Sequence, residues 1–173
     1  MTRTLASPDE REAALYARFR ALGIAWKTYE HIPVFTVAES TSVSDAIPGV
    51  HTKNLFLKDK KGGLWLAVVR AHQRVDLNAL AKQLHAPRYS FGSPELLIAT
   101  LGIEPGSVTP FALMNDEAGV VKPVLDATML ERDPVNFHPM RNDRTTAISA
   151  HDLVRFVESC GYSPLIAAMP ETA

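Results

Sequence analysis

Two apolar runs, Asn54 to Asp59 and Leu64 to Val69, flank Lys60-Lys61-Gly62-Gly63, and this arrangement constrains the fold more than any other stretch of the chain. A short polar and glycine segment between two strand-length runs predicts a β-hairpin, because paired glycines tolerate the positive backbone angles of a tight turn. An antiparallel hairpin at this place argues against a doubly wound nucleotide-binding fold, and no glycine-rich phosphate loop follows any strand. Helices are predicted around it. Ser7-Pro8-Asp9-Glu10 caps one running from Pro8 to Leu22, with Gly23 as its stop. Asp76 starts another that reaches about Leu84, Ser93-Pro94-Glu95 one that ends at Gly102, and Ser149 one that ends at Gly161; Thr36 with Glu39 predicts a short helix. Further strands are predicted at Ile24 to His31, Val135 to Phe137 and Thr145 to Ile148, and a second hairpin between Phe111–Met114 and Val120–Leu125. The order is α+β: a single domain with a mixed, mostly antiparallel sheet surrounded by helices and a loose tail over about 163–173.

At 173 residues the chain has the length of one domain, and its 46% hydrophobic and 21% charged fractions are those of a globular protein. The formal net charge of −1 excludes recognition of nucleic acid by a global basic field, leaving only a local patch. Cys160 is the single cysteine, which excludes an internal disulfide and cysteine-based metal motifs and fits a reducing cytosol. Met1-Thr2-Arg3-Thr4 leads into charged residues without an apolar signal core, and no apolar run reaches membrane-spanning length. A cytoplasmic protein with no membrane partner is expected.

The candidate chemistry is sparse. Lys53, in Thr52-Lys53-Asn54 ahead of Leu55-Phe56-Leu57, stands at the mouth of a buried strand, where a lysine either snorkels to water or faces an anionic ligand; the segment alone favours the first. His138 precedes Pro139 at a strand end, and its local sequence suits a structural and a functional histidine equally. His85 and His151 are expected in solvent, and none of the six histidines has zinc-site spacing. Pro105-Gly106-Ser107-Val108-Thr109-Pro110 is either a rigid turn or a loop presenting backbone N–H groups to a carbonyl or phosphate oxygen. Asp126 either pairs Lys53 or caps the next turn, capping being the commoner use. No nucleophile elbow is present, which sets aside a serine hydrolase.

Together, His31 to Thr36, Thr52 to Leu57, Gly102 to Pro110, and Phe137-His138-Pro139 with Asn142 and Thr145-Thr146 resemble the YbaK and prolyl-tRNA synthetase editing-domain family over nearly the whole chain. The likeness is nearest to free-standing members that deacylate mischarged alanyl-tRNA(Pro). It implies a partly barrel-like sheet, no cofactor or metal, and Lys53, Gly106 and His138 as catalytic residues. It further implies a pocket lined by Phe35, Thr36, Asn54, Ser107, Val108, Thr109 and Pro110. The implied partner is the tRNA(Pro) acceptor end, with prolyl-tRNA synthetase or an elongation factor as transient partners of a monomer. Chemically, an aminoacyl ester needs a water or ribose hydroxyl as nucleophile and donors for the oxyanion, here the Gly106 to Pro110 backbone. Lys53 suits anchoring the terminal ribose-phosphate better than acting as a base. Alternatives are clearance of cysteine or another small residue from tRNA(Pro), and a tRNA-binding module without turnover.

Overall fold

The computed structural model describes residues 3–34 and 37–172. Helix α1 (Pro8–Leu22) begins where Ser7 accepts a hydrogen bond from the Glu10 N–H and ends at Gly23, whose φ of 68° closes the C-terminus. The remaining helices are α2 (Val37–Ala46), α3 (Leu77–Gln83), α4 (Pro94–Leu101) and α5 (Ala150–Ser159), the last three capped by Asp76, Ser93 and Ser149 as their sequences predict. Strands β1 (Lys27–Glu30), β2 (Val50–Asp59), β3 (Leu64–Arg70), β4 (Tyr89–Phe91), β5 (Val121–Asp126), β6 (Val135–Phe137), β7 (Arg144–Ile148) and β8 (Leu165–Ala167) form one sheet. Its order is β1-β7-β6-β2-β3-β5-β8, with β4 also on β2. Antiparallel pairs join β1–β7, β2–β3, β2–β4 and β6–β7; β2–β6, β3–β5 and β5–β8 are parallel.

The β2–β3 hairpin forms as its sequence predicts, and Asp59 organises it. The buried carboxylate accepts from the Lys61 and Gly63 N–H groups and from the Trp65 indole. Gly63 is needed for space, since a Cβ there would stand 2.3 Å from Asp59 Oδ2. Burial alone would raise the Asp59 carboxyl, but these three donors hold it below the usual carboxylate range.

Alternation along β2 and β3 divides the interior in two. Phe56, Leu64, Leu66 and Val68 pack with Phe19, Leu101, Phe111 and Phe156 on one face. Leu57, Trp65, Ala67 and Val69 pack with Leu80, Tyr89 and Met169 on the other. Four phenylalanines centre the larger core: the Phe111 ring lies 5.2 Å from Phe19, 5.4 Å from Phe137 and 5.3 Å from Phe156, each edge-on.

Three expectations are corrected. The predicted second hairpin does not form: Pro110–Asn115 is a 3-10 helix, opened by Pro110 and capped by the Thr109 hydroxyl, and β5 instead pairs parallel with β3. β2 begins at Val50, so Lys53 lies inside the strand rather than at its opening. The expected loose tail is held in place. β8 covers the outer edge of β5, Gln73 Nε2 donates to the Met169 carbonyl at 2.9 Å, and the Asp76 N–H to that of Pro170 at 2.8 Å. An uncovered β5 edge would leave a row of unpaired backbone groups, and β8 supplies their partners.

Candidate functional site

One side of β2 changes partner along its length. Val50 and His51 pair with β6, Leu57 to Asp59 pair with β4, and the stretch between has no strand neighbour on that side. There the loop after α4 closes on β2, and Asn54 Nδ2 donates to the Val108 carbonyl at 3.1 Å. A cleft of about 460 Å³ opens at this gap, walled by Thr52, Lys53, Asn54, Gly106, Val108 and His138 with Ser40 and His72. It continues into a recess of about 50 Å³ bounded by His51, Asn54, Asn136, His138 and Thr145.

The structure therefore brings Lys53, Asn54, Gly106, Val108 and His138 to one cavity. It does not bring Ser107, Thr109 or Pro110 to that wall: these are buried behind the loop, where Ser107 donates its N–H to the Glu104 carbonyl and Thr109 and Pro110 start the 3-10 helix. Phe35 and Thr36 lie outside the described residues. Among the described residues, the Gly106 and Val108 N–H groups donate to no protein acceptor. Gly106 holds a φ of 91°, a conformation favouring glycine. Arg11, buried in α1, anchors the loop through two hydrogen bonds to Glu104, 2.6 and 2.9 Å. Burial would raise the Glu104 carboxyl; the Arg11 guanidinium outweighs this and holds it low.

His138 donates Nδ1–H to the Arg144 carbonyl at 3.0 Å, and a carbonyl can only accept, so in the neutral ring Nε2 carries the lone pair. Burial lowers its pKa below the ordinary histidine value, and nearby His31 lowers it further against the pull of the Arg144 carbonyl and Asp143. The two rings are 6.4 Å apart, and His31 Nε2 meets Thr145 Oγ1 at 2.9 Å.

Register places Lys53 opposite Val69, on the face of β2 away from Thr52 and Asn54, so the half-buried lysine meets the cleft at its rim. Burial depresses its pKa, and Arg74 adds like-charge repulsion. Asp126 does not pair with it. That fully buried carboxylate accepts from Arg70 Nε at 2.9 Å and caps Thr128.

Two buried amide oxygens at the recess, Asn54 Oδ1 and Asn136 Oδ1, have no hydrogen-bond partner among the described residues. Asn136 is held in this orientation because its Nδ2 donates to the Pro48 and Val50 carbonyls at 3.0 and 3.2 Å. Sequence reasoning missed Asn136, His51 and Thr52. Alternation carried a signal for two of them: Asn136 stands two residues before His138, and Thr52 two before Asn54. Among the described residues no three His, Cys, Asp or Glu side chains cluster as a metal site, and no helix is long and apolar enough to cross a membrane.

The model of the aminoacyl-tRNA editing domain matches residues 31–156, a span that holds every wall of the cleft. The chain belongs to this family. An editing domain of this kind is an ester hydrolase, an aminoacyl-tRNA deacylase. The chain is 41% identical over 162 residues to prolyl-tRNA synthetase associated domain-containing protein 1 of Bos taurus, covering 91% of this chain and 94% of that one. It is 33% identical over 153 residues to the prolyl-tRNA editing protein ProX of Acetoanaerobium sticklandii, covering 88% and 93%. A crystal structure of a candidate trans-editing enzyme for prolyl tRNA synthetase shares the fold, with a TM-score of 0.69 at 22% identity over 96% of this chain and 99% of that one.

Proposed function

We propose that this editing domain hydrolyses the ester of alanine wrongly attached to tRNA(Pro), acting on the acceptor end in trans. The observation that carries the proposal is the 50 Å³ recess at the deep end of the cleft. A water needs about 10–15 Å³ measured this way, so the recess takes about three to five water-sized groups. The α-carbon, methyl and amino groups of alanine fit within that size, whereas the two further ring carbons of proline bring its demand to the upper end of the range and leave no room to spare. A pocket rejects an oversized residue by clash more firmly than it rejects a smaller one, which suits removal of alanine from a tRNA meant for proline.

Each group then has a task. The unpartnered oxygens of Asn54 and Asn136 accept from the substrate α-ammonium, relieving a desolvation cost of about 1–3 kcal/mol for each buried acceptor. The free N–H groups of Gly106 and Val108 receive the oxyanion that forms at the ester carbonyl. Neutral His138 offers Nε2 to the attacking water or to the vicinal ribose hydroxyl, orienting it. Water oxygen bonds to the acyl carbon, the bond to the ribose oxygen breaks, and that oxygen takes up the proton. Lys53 at the rim holds the phosphate of the terminal nucleotide. In this reading the protein works in the cytoplasm as a monomer, meeting prolyl-tRNA synthetase or an elongation factor transiently.

Alanyl-, cysteinyl- and prolyl-tRNA(Pro) incubated with the protein and followed for ester loss provide the test. Alanine is expected to be released fastest and proline least. Preferential release of cysteine reassigns the substrate; tRNA binding without any ester loss removes turnover from the reading.

A further inference from the structure

One further hollow borders the cleft, an apolar groove of about 240 Å³ that shares Asn54, Gly106 and Val108 with it. Phe56 forms its floor, and Phe91, Pro94, Leu97 and Pro105 its sides. Two features set it apart from an ordinary surface depression. Phe91, on strand β4, keeps 65% of its surface exposed at the groove, an apolar ring left in water next to a working cleft. Gly92 follows it, and a Cβ there would stand 2.4 Å from Phe56 Cδ2, so the absence of a side chain allows the Phe56 ring to lie against the groove.

We infer that this groove holds the nucleobase of the terminal nucleotide, stacked on Phe91. The inference rests on the deacylase reading of the adjoining cleft, and covalent geometry makes the link. The base and the aminoacyl ester are substituents of one ribose, so a substrate with its ester carbonyl at the Gly106 and Val108 N–H groups must place its base a single sugar ring away. The groove on the other side of those residues is apolar, and it offers an aromatic face and two proline rings. Such surfaces take flat heterocycles by stacking, with little dependence on hydrogen-bonded readout.

Two alanyl esters test this, one of adenosine and one of the same sugar without a base. The wild type is expected to prefer the adenosine ester in kcat/KM by about 5- to 150-fold, the rate equivalent of stacking one base on an aromatic side chain. Phe91→Ala should reduce the preference towards unity with an unchanged melting temperature, since the ring is exposed, and Phe91→Trp should retain it. Equal rates on the two esters, or a preference that survives Phe91→Ala, would overturn the inference. Binding of adenosine 5′-monophosphate separates it from the deacylase reading. Saturable quenching of the indole added in Phe91→Trp, beyond that of Trp26 and Trp65 in the wild type, supports the groove even if neither ester is cleaved. No added quenching overturns it even if both are.

Discussion

His138 is tied through Nδ1 to the Arg144 carbonyl, and burial lowers its pKa below the ordinary histidine value. In the unfolded chain a histidine takes up its proton near pH 6.5, whereas His138 in the fold does so only at lower pH. Between those values the unfolded state binds more protons, so stability rises with pH through the window and falls as the pH drops below about 6.5. The same proton occupies Nε2. The acid limb of kcat/KM is therefore expected to have its midpoint below 6.5, and His138→Ala should lower the plateau about tenfold, the equivalent of one buried hydrogen bond, and remove that limb. A pH–rate profile of the two proteins checks both. Lys53→Ala should raise KM for alanyl-tRNA with little change in melting temperature, because the lysine stands at the rim; steady-state kinetics against tRNA concentration checks this. Both residues were visible in the sequence, Lys53 by its odd position and His138 by its proline. Asn136 was not, because its meaning depends on two carbonyls, of Pro48 and Val50, that only the tertiary structure places beside it.

The loop between α4 and the 3-10 helix works as an element. Arg11 grips Glu104 from α1, the Ser107 N–H closes a turn onto the Glu104 carbonyl, and Gly106 takes a positive φ at the cleft wall. Among the described residues, a Cβ on Gly106 would find only Asn142 Nδ2, at 3.8 Å, so Gly106→Ala tests the backbone angle and not packing. The expected cost is about 1–2 kcal/mol. At this chain length that is a fall in Tm of about 2–8 °C, and kcat on alanyl-tRNA should drop with it as the Gly106 and Val108 N–H groups lose their aim. Calorimetry with single-turnover kinetics measures the two effects together. Elements with their own local signals were readable in the sequence: the capped helices α1, α4 and α5 and the Gly-Gly hairpin carry their stops and starts in residues side by side. Strand pairing is different. Nothing local in Val121 to Asp126 says that β5 joins β3 in parallel, since that partner lies across α3, β4 and α4.

At the scale of the molecule, the sheet separates a large phenylalanine-centred core from a smaller one, and the C-terminal segment closes the smaller. Met169 and Ala167 are buried in it beside Leu80, Tyr89 and Val124. The same segment gives the buried Gln73 amide its acceptor, while Gln73 Oε1 accepts from Arg70 at 2.7 Å and Arg70 pairs with the fully buried Asp126. Removing 163–173 would delete the buried Met169 side chain, forfeiting about 1.5–3 kcal/mol of burial, and strip the buried Gln73 amide of its partner at about 1–3 kcal/mol more. The expected loss is about 3–5 kcal/mol, or roughly 6–20 °C in Tm at this length. A loose tail would cost nothing, so the melting temperature of the truncated chain decides between the two pictures. The bare β5 edge should also favour association of the truncated protein, detectable as a concentration-dependent increase in mass by light scattering. The cleft lies across β2 and β3 from that edge, so the truncated protein is expected to keep deacylating alanyl-tRNA below its lowered Tm. Loss of activity well below that temperature would mean that the Asp126–Arg70–Gln73 chain carries the position of β3 to the cleft.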